Sequence, residues 1–347
     1  MKYNQRITLD GENPEPAGFH CTARVMRQAN LLDEEAREML VRMIHRLAGF
    51  CGVEVLTYCI LPNHFHVLVR VDPKARDCGD EALIHRFRAL YGKKPASGIG
   101  VDAEGFERLL ADPKRAAKAD EIRGKLRARM GDVSAYMQSL TQRYTKWFNA
   151  TRGGGGTLWA ERFRSVMVED AAGPLRVIAA YIDLNPVRAG LAADPKDYRW
   201  CGHAAAVTGE SAERAACCRR LFPAAKSEAK ALADYRLYLL GSGEPRKHGK
   251  KEASAAAEGE PEAQSDDERL PAHALLRRRI PHFTYGVAIG SAAFIENILN
   301  RPDALGFRRE RAPKPVPTPA NEETIFCARQ WMHPSTTERG DAAAYRP

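Results

Sequence analysis

The stretch FCGVEVLTYCILPNHFHVLV, Phe50 to Val69, reads as two strands around a tight turn. Val53 to Ile60 is rich in β-branched and aromatic residues, Pro62-Asn63 is a turn pair, and His64 to Val71 alternates again. Strands joined so closely pair antiparallel. Upstream, Phe19 to Met26 (FHCTARVM) predicts another strand. Asp33 then caps a helix whose Ala36, Met39, Leu40, Met43, Ile44 and Leu47 recur at helical spacing and which ends near Gly49. The start is therefore β-α-β-β, with the helix crossing one face, and it predicts an α+β fold of one antiparallel sheet and its helices.

Further along, Asp132 caps a helix with an apolar stripe through Val133, Tyr136, Met137, Leu140, Tyr144, Trp147 and Phe148. Gly153 to Gly156 breaks it, and Thr157 to Glu169 predicts a further strand or hairpin arm. Pro174 sits in the first turn of a helix that buries Leu175, Ile178, Ala179 and Ile182 and that Pro186 and Gly190 terminate. Residues 73–132, rich in Gly, Pro, Lys and Arg, read as a helical, partly mobile insertion. The expected organisation is a main domain over 1–210, a helical extension over 211–241 and a disordered linker over 242–272. A small basic helical segment over 273–311 and a disordered tail over 312–347 follow.

The 347 residues carry 53 Lys and Arg against 44 Asp and Glu, a net charge of +9 that favours a polyanionic partner. No run approaches the roughly 18 apolar residues of a membrane span, and the first residues lack the apolar core of a signal peptide. A cytoplasmic protein with no membrane partner is expected. Its eight cysteines show no paired C-x-x-C spacing and are expected as free thiols.

Two features carry chemistry. His64 and His66 are two apart on a strand, so both imidazoles leave one face with Leu68 and Arg70, while Phe65 and Val67 enter the other. A strand can present two nitrogen ligands to a divalent ion in this way, although an isolated H-x-H is more often a hydrogen-bonded pair. In YIDLNPVRAGL, residues 181–191, Tyr181 and Asn185 stack at i, i+4, offset from the buried stripe. Tyr144 is the rival tyrosine, but it lies on a continuous apolar stripe with Phe148 at i+4. His20, on the first strand, has no assigned role. Arg143, Lys146, Arg152, Arg162, Arg164 and Arg188 flank these elements and could contact phosphates, with Trp147 or Trp159 for stacking.

The pieces FCGVEVLTYCILPNHFHVLV, GTLWAERFRS and YIDLNPVRAGL together closely resemble the HUH single-strand transposases with one catalytic tyrosine, above all the REP-associated tyrosine transposases. The resemblance extends from about Phe19 to Trp200, with a weaker echo at LLRRRIPHFTYGVAIGSAAFIENIL. It departs at Trp200-Cys201-Gly202, where Trp-Ser-Ser is usual, and in the insertion at 73–132. The resemblance implies a ferredoxin-like sheet with His64, His66 and Asn185 as ligands of Mg²⁺ or Mn²⁺ and Tyr181 as nucleophile. It implies a transposase that cleaves single-stranded or hairpin-forming DNA through a 5′-phosphotyrosine, with no nucleotide cofactor. The alternatives are a non-catalytic nucleic-acid-binding protein with a ferredoxin-like or RNA-recognition-like fold, which predicts exposed aromatics on the sheet face, and a metal-dependent hydrolase, which predicts acidic ligands.

Overall fold

A computed structural model describes residues 15–96, 98–209, 212–241, 270–301 and 313–329. The chain runs β1 (Ala17–Arg24), α1 (Glu34–Cys51), β2 (Val53–Ile60), β3 (His64–Val71), α2 (Asp80–Tyr91), α3 (Ala103–Ala111), α4 (Ala116–Arg127), α5 (Val133–Arg152), β4 (Arg164–Glu169) and α6 (Ala172–Asp183). Then come α7 (Asn185–Arg188), α8 (Gly202–Val207), α9 (Ala212–Leu221), α10 (Glu228–Leu240), α11 (Ala272–Leu275), α12 (His282–Tyr285), β5 (Gly286–Gly290), α13 (Ala292–Leu299), β6 (Lys314–Pro315) and β7 (Phe326–Arg329). The strands form one sheet in the order β2-β3-β1-β4-β5-β7-β6. All its pairings are antiparallel except β4 with β5.

Local signals place the first elements. Asp33 accepts a hydrogen bond from the Ala36 backbone N–H at 2.9 Å, and Asp132 accepts one from Ala135 at 2.8 Å, satisfying amides that a helix start leaves unpaired. Helix α1 stops at Gly52, whose φ of +64° is a left-handed turn that residues with a Cβ resist, and the chain reverses directly into β2.

Strand parity then divides the interior. Phe19, Cys21, Phe65, Val67 and Val69 point to one face, where they pack with Leu40 and Ile44 of α1 and Tyr136, Met137, Leu140 and Tyr144 of α5. The 73–132 insertion is helical, as expected, and joins this core through Leu83, Phe87, Phe106, Ile122 and Leu126. Phe65 is fully buried there, and its truncation to Ala would cost about 3–5 kcal/mol. Leu68, Val166 and Val168 point the other way, onto Leu175, Ile178 and Ile182 of α6 and onto α10 and α11. Helix α6 lies so close to β1 that a Cβ on Gly18 would stand 2.7 Å from a Leu175 methyl.

The C-terminal region departs from expectation. Residues 273–311 were expected to be helical and 312–347 a tail, yet β5, β7 and β6 add three strands beyond β4. GVAIG and FCAR are too short to show alternation, and only a long-range pairing makes them strands. Arg176 of α6 clasps Glu322 through two hydrogen bonds of 2.6 and 2.7 Å, and Glu169 at the end of β4 accepts from Ser291. Strand β4 is also shorter than the predicted Thr157–Glu169. The expected linker up to residue 269, residues 302–312 and the tail beyond 329 lie outside the described residues. Among the described residues no helix is long and apolar enough to cross a membrane, and no disulfide joins the cysteines.

Candidate active site

On the α6 side of the sheet, three strands present polar side chains in register. Antiparallel pairing sets Thr22 of β1 opposite His66 of β3, Arg24 opposite His64, and Thr22 opposite Arg164 of β4. Period-two alternation puts His20, Thr22 and Arg24 on the face that holds His64 and His66. The two strand histidines predicted from H-x-H therefore share a face, with ring centroids 5.1 Å apart.

His20 joins them. Its Nε2 lies 2.9 Å from His66 Nδ1, and its Nδ1 lies 2.6 Å from the Phe283 carbonyl oxygen in α12. His64 is held separately, its Nδ1 2.6 Å from Asn63 Oδ1. Burial, which penalises the imidazolium, lowers the pKa of all three, to about 4 for His20, to about 3 for His64 and well below the usual value for His66. Arg24, Arg188 and Arg279 push His64 the same way by repulsion. The rings are thus neutral at physiological pH, the form in which imidazole binds a metal.

Tyr181 reaches the cluster from above. Its ring meets His20 edge-on at 6.3 Å and Phe283 edge-on at 5.1 Å, and only 4% of the residue is exposed. The offset from the α6 stripe that the sequence predicts turns the ring toward His20 and Phe283 and not into open solvent. Arg188 lies over its ring, 4.0 Å from the centroid, and donates to the Tyr181 carbonyl at 2.5 Å and the Leu276 carbonyl at 2.6 Å. Asn185 is buried one turn further on. Its Nδ2 donates back to the Ile182 and Tyr181 carbonyls at 3.1 and 3.4 Å, so its Oδ1 is the end available to an outside partner.

Two imidazoles with occupied Nδ1 atoms and an amide oxygen fit a hard divalent cation whose other positions take water or phosphate oxygen. Among the described residues no group of three or more His, Cys, Asp or Glu side chains is placed to hold a metal ion, so the candidate donor set is limited to two imidazoles and an amide. Asp183, the nearest carboxylate in sequence, points elsewhere: it accepts from Thr57 and Tyr235 at 2.5 Å each and from the His203 backbone N–H at 3.3 Å.

The expected DNA-contacting residues divide. Arg162 is exposed and Arg164 half-buried; both line a small cleft with Thr22, Arg24, Glu161, Thr284 and Tyr285. Arg164 pairs with Glu161 at 2.8 Å and lies over the Tyr285 ring at 4.6 Å. Arg143 and Lys146, by contrast, ride on α5 across the sheet, where Arg143 stacks on Tyr91 at 4.7 Å. Trp159 is not a free stacking surface, since it packs on Phe65 and Tyr144 and donates to the Thr141 carbonyl at 3.1 Å. Tyr144 donates to the Ala36 carbonyl at 2.8 Å, and burial pushes its pKa up.

His20, Arg24, Phe283 and Tyr285 have no assigned role in the sequence reading. The first two follow from strand parity once the β1–β3 register is known. The last two come from across a gap in sequence that no local signal bridges.

Residues 16–77, which span β1, α1, β2 and β3, match the model of a family described as "Transposase IS200 like". No curated protein matches the chain. Among solved structures, the REP-associated tyrosine transposase bound to a REP hairpin aligns at 15% identity over 62% of this chain and 90% of that one, with a TM-score of 0.35. A chain of Deinococcus radiodurans r1 described as a candidate transposase aligns at 12% identity over 45% of this chain and 82% of that one, with a TM-score of 0.22. The segment that carries both strand histidines is thus similar to the IS200-like transposase family, in line with the resemblance that the motifs express.

Proposed function

We propose that the protein is a metal-dependent strand transferase for single-stranded DNA that cleaves through a 5′-phosphotyrosine at Tyr181, with hairpin-forming repeat DNA as substrate. The observation that carries this reading is the convergence on one sheet face of Tyr181, three neutral imidazoles and a guanidinium. Tyr181 Oη attacks the phosphorus, the bond from phosphorus to the 3′ oxygen breaks, and the 5′ phosphate stays on the tyrosine. The phenolic proton is lost to solvent and the departing 3′ oxygen takes one up. A 3′-OH attacking the phosphotyrosine reverses each step and restores the phenol. One ester replaces another, so joining needs no nucleotide cofactor.

His64, His66 and Asn185 would hold Mg²⁺ or Mn²⁺, which when bound polarises a phosphate oxygen as a Lewis acid. Their neutrality leaves the cation's charge intact for a polyanion. Arg24, Arg162 and Arg164, around the adjoining cleft, suit a phosphate backbone leading to the tyrosine. The competing reading, a nucleic-acid binder on an RNA-recognition-like sheet, needs an open aromatic platform. Here α1 and α5 cover one face of the sheet while α6 and α12 cover the other.

The test is incubation of the protein with end-labelled single-stranded hairpin DNA and MnCl₂, followed by a denaturing gel. Wild type should give a covalent adduct and Tyr181→Phe none, at nearly unchanged DNA affinity. An adduct formed by the Phe variant would overturn the assignment.

A further inference from the structure

We infer that His20 is a positioning residue: together with the Phe283 carbonyl it forms a one-way hydrogen-bond relay that fixes which nitrogen of His66 is free to bind a cation. The logic is one of donors and acceptors. A carbonyl oxygen only accepts, so the 2.6 Å contact to Phe283 requires the proton of His20 on Nδ1. A neutral His20 then has a bare Nε2, which can only accept. The 2.9 Å contact to His66 Nδ1 therefore requires that nitrogen to donate. His66 is left with a bare Nε2, the nitrogen a metal needs. Burial of both rings, 1% and 4% exposed, keeps them neutral and shields the relay from competing water. His64 reaches the same tautomer by a different route, through the amide oxygen of Asn63. Two ligands on one strand are thus set by two unrelated partners, one local and one in α12.

Phe283 gives the relay its significance. It belongs to the unit that begins at residue 270, and its ring also meets Tyr181 edge-on. The C-terminal unit therefore sets the tautomer of one ligand and buttresses the tyrosine, and the centre is incomplete without it.

The relay rests on the proposed metal-binding role of His66, but its geometry can be tested without metal or DNA. Long-range ¹H–¹⁵N spectra of ¹⁵N-histidine-labelled, metal-free full-length protein at neutral pH should show His20 and His66 both protonated at Nδ1. His66 protonated at Nε2 would overturn the relay whatever the protein's activity. In His20→Phe the acceptor is gone, so His66 should lose its single tautomer. Its Mn²⁺ affinity, read from the electron paramagnetic resonance of free ion, should fall about 10- to 100-fold. His20→Gln, whose Oε1 can still accept, should retain most of that affinity. Equal loss in both variants, with the His66 tautomer unchanged, would reduce His20 to a packing residue and overturn the inference. Should wild type show the Nδ1–H tautomers yet bind no Mn²⁺ and form no DNA adduct, the relay stands and the strand-transferase reading fails.

Discussion

Tyr144 and Tyr181 stand on helices that cover opposite faces of one sheet, and each is almost wholly buried. Their surroundings separate them. Tyr144 spends its hydroxyl on the Ala36 carbonyl and lies among Trp147, Phe148 and Trp159, so ionising it would strand a charge in an apolar core. Tyr181 has a guanidinium over its ring and the His20 imidazole at its edge. Burial alone leaves the two tyrosines alike; what shares the burial tells them apart.

The largest expected effect breaks or confirms this contrast directly. Tyr181→Phe should lower adduct formation by at least about a thousandfold, as loss of a nucleophile does, while Tyr144→Phe forms adduct at the wild-type rate. Loss of cleavage in a folded Tyr144→Phe protein would reverse the assignment of the two faces. Next come the ligands. His64→Ala and His66→Ala should each weaken Mn²⁺ binding by more than about tenfold and slow cleavage in proportion, and chelator should reproduce the cleavage defect in wild type. Asn185→Ala should do less, since a neutral amide oxygen is the weaker donor. Strand cleavage that survives chelator would count against the whole metal assignment.

A smaller effect sharpens the same comparison through charge. Arg24→Ala or Arg162→Ala, on the histidine side, should reduce the salt dependence of single-strand binding by about 0.7 in log-log slope each. Arg143→Ala and Lys146→Ala, across the sheet, should leave the slope alone. If all four variants lower it equally, the nucleic acid wraps both faces and the division fails. The smallest effect is thermodynamic. Removing the Tyr144 hydroxyl should cost about 1 kcal/mol in urea unfolding, the value of one hydrogen bond with its acceptor still partnered in a helix.

How much of this was legible in the sequence follows the range of the interactions. The Pro62-Asn63 turn, the Asp33 and Asp132 caps and the two-residue spacing of His64 and His66 are local, and the structure realises each of them. That Tyr181 stands offset from Leu175, Ile178 and Ile182 was readable, while its edge-on contact with His20 emerges only in the structure. The placement of His20 beside His66 was not readable, because it depends on a register that sets β1 against β3. Arg143 and Lys146 could not be told from Arg162 and Arg164 either. Sequence shows that a side chain is basic and helical, but not which sheet face its helix covers. Least legible was the C-terminal unit, where GVAIG becomes a strand only because β4 has a free edge to receive it.

That parallel pairing, Met167 with Ala288 and Val168 with Ile289, sets a timetable for synthesis. Translation adds about 5–20 residues per second, so β4 leaves the ribosome on the order of ten seconds before its neighbour exists. In that interval the nascent chain has both strand histidines and the tyrosine but no Phe283 carbonyl, and the edge of β4 is open to any other strand. Parallel partners distant in sequence also pair slowly, because a long loop must close before any contact forms. The polar cluster around His20 and Tyr181 is therefore complete only once the segment carrying Phe283 has emerged.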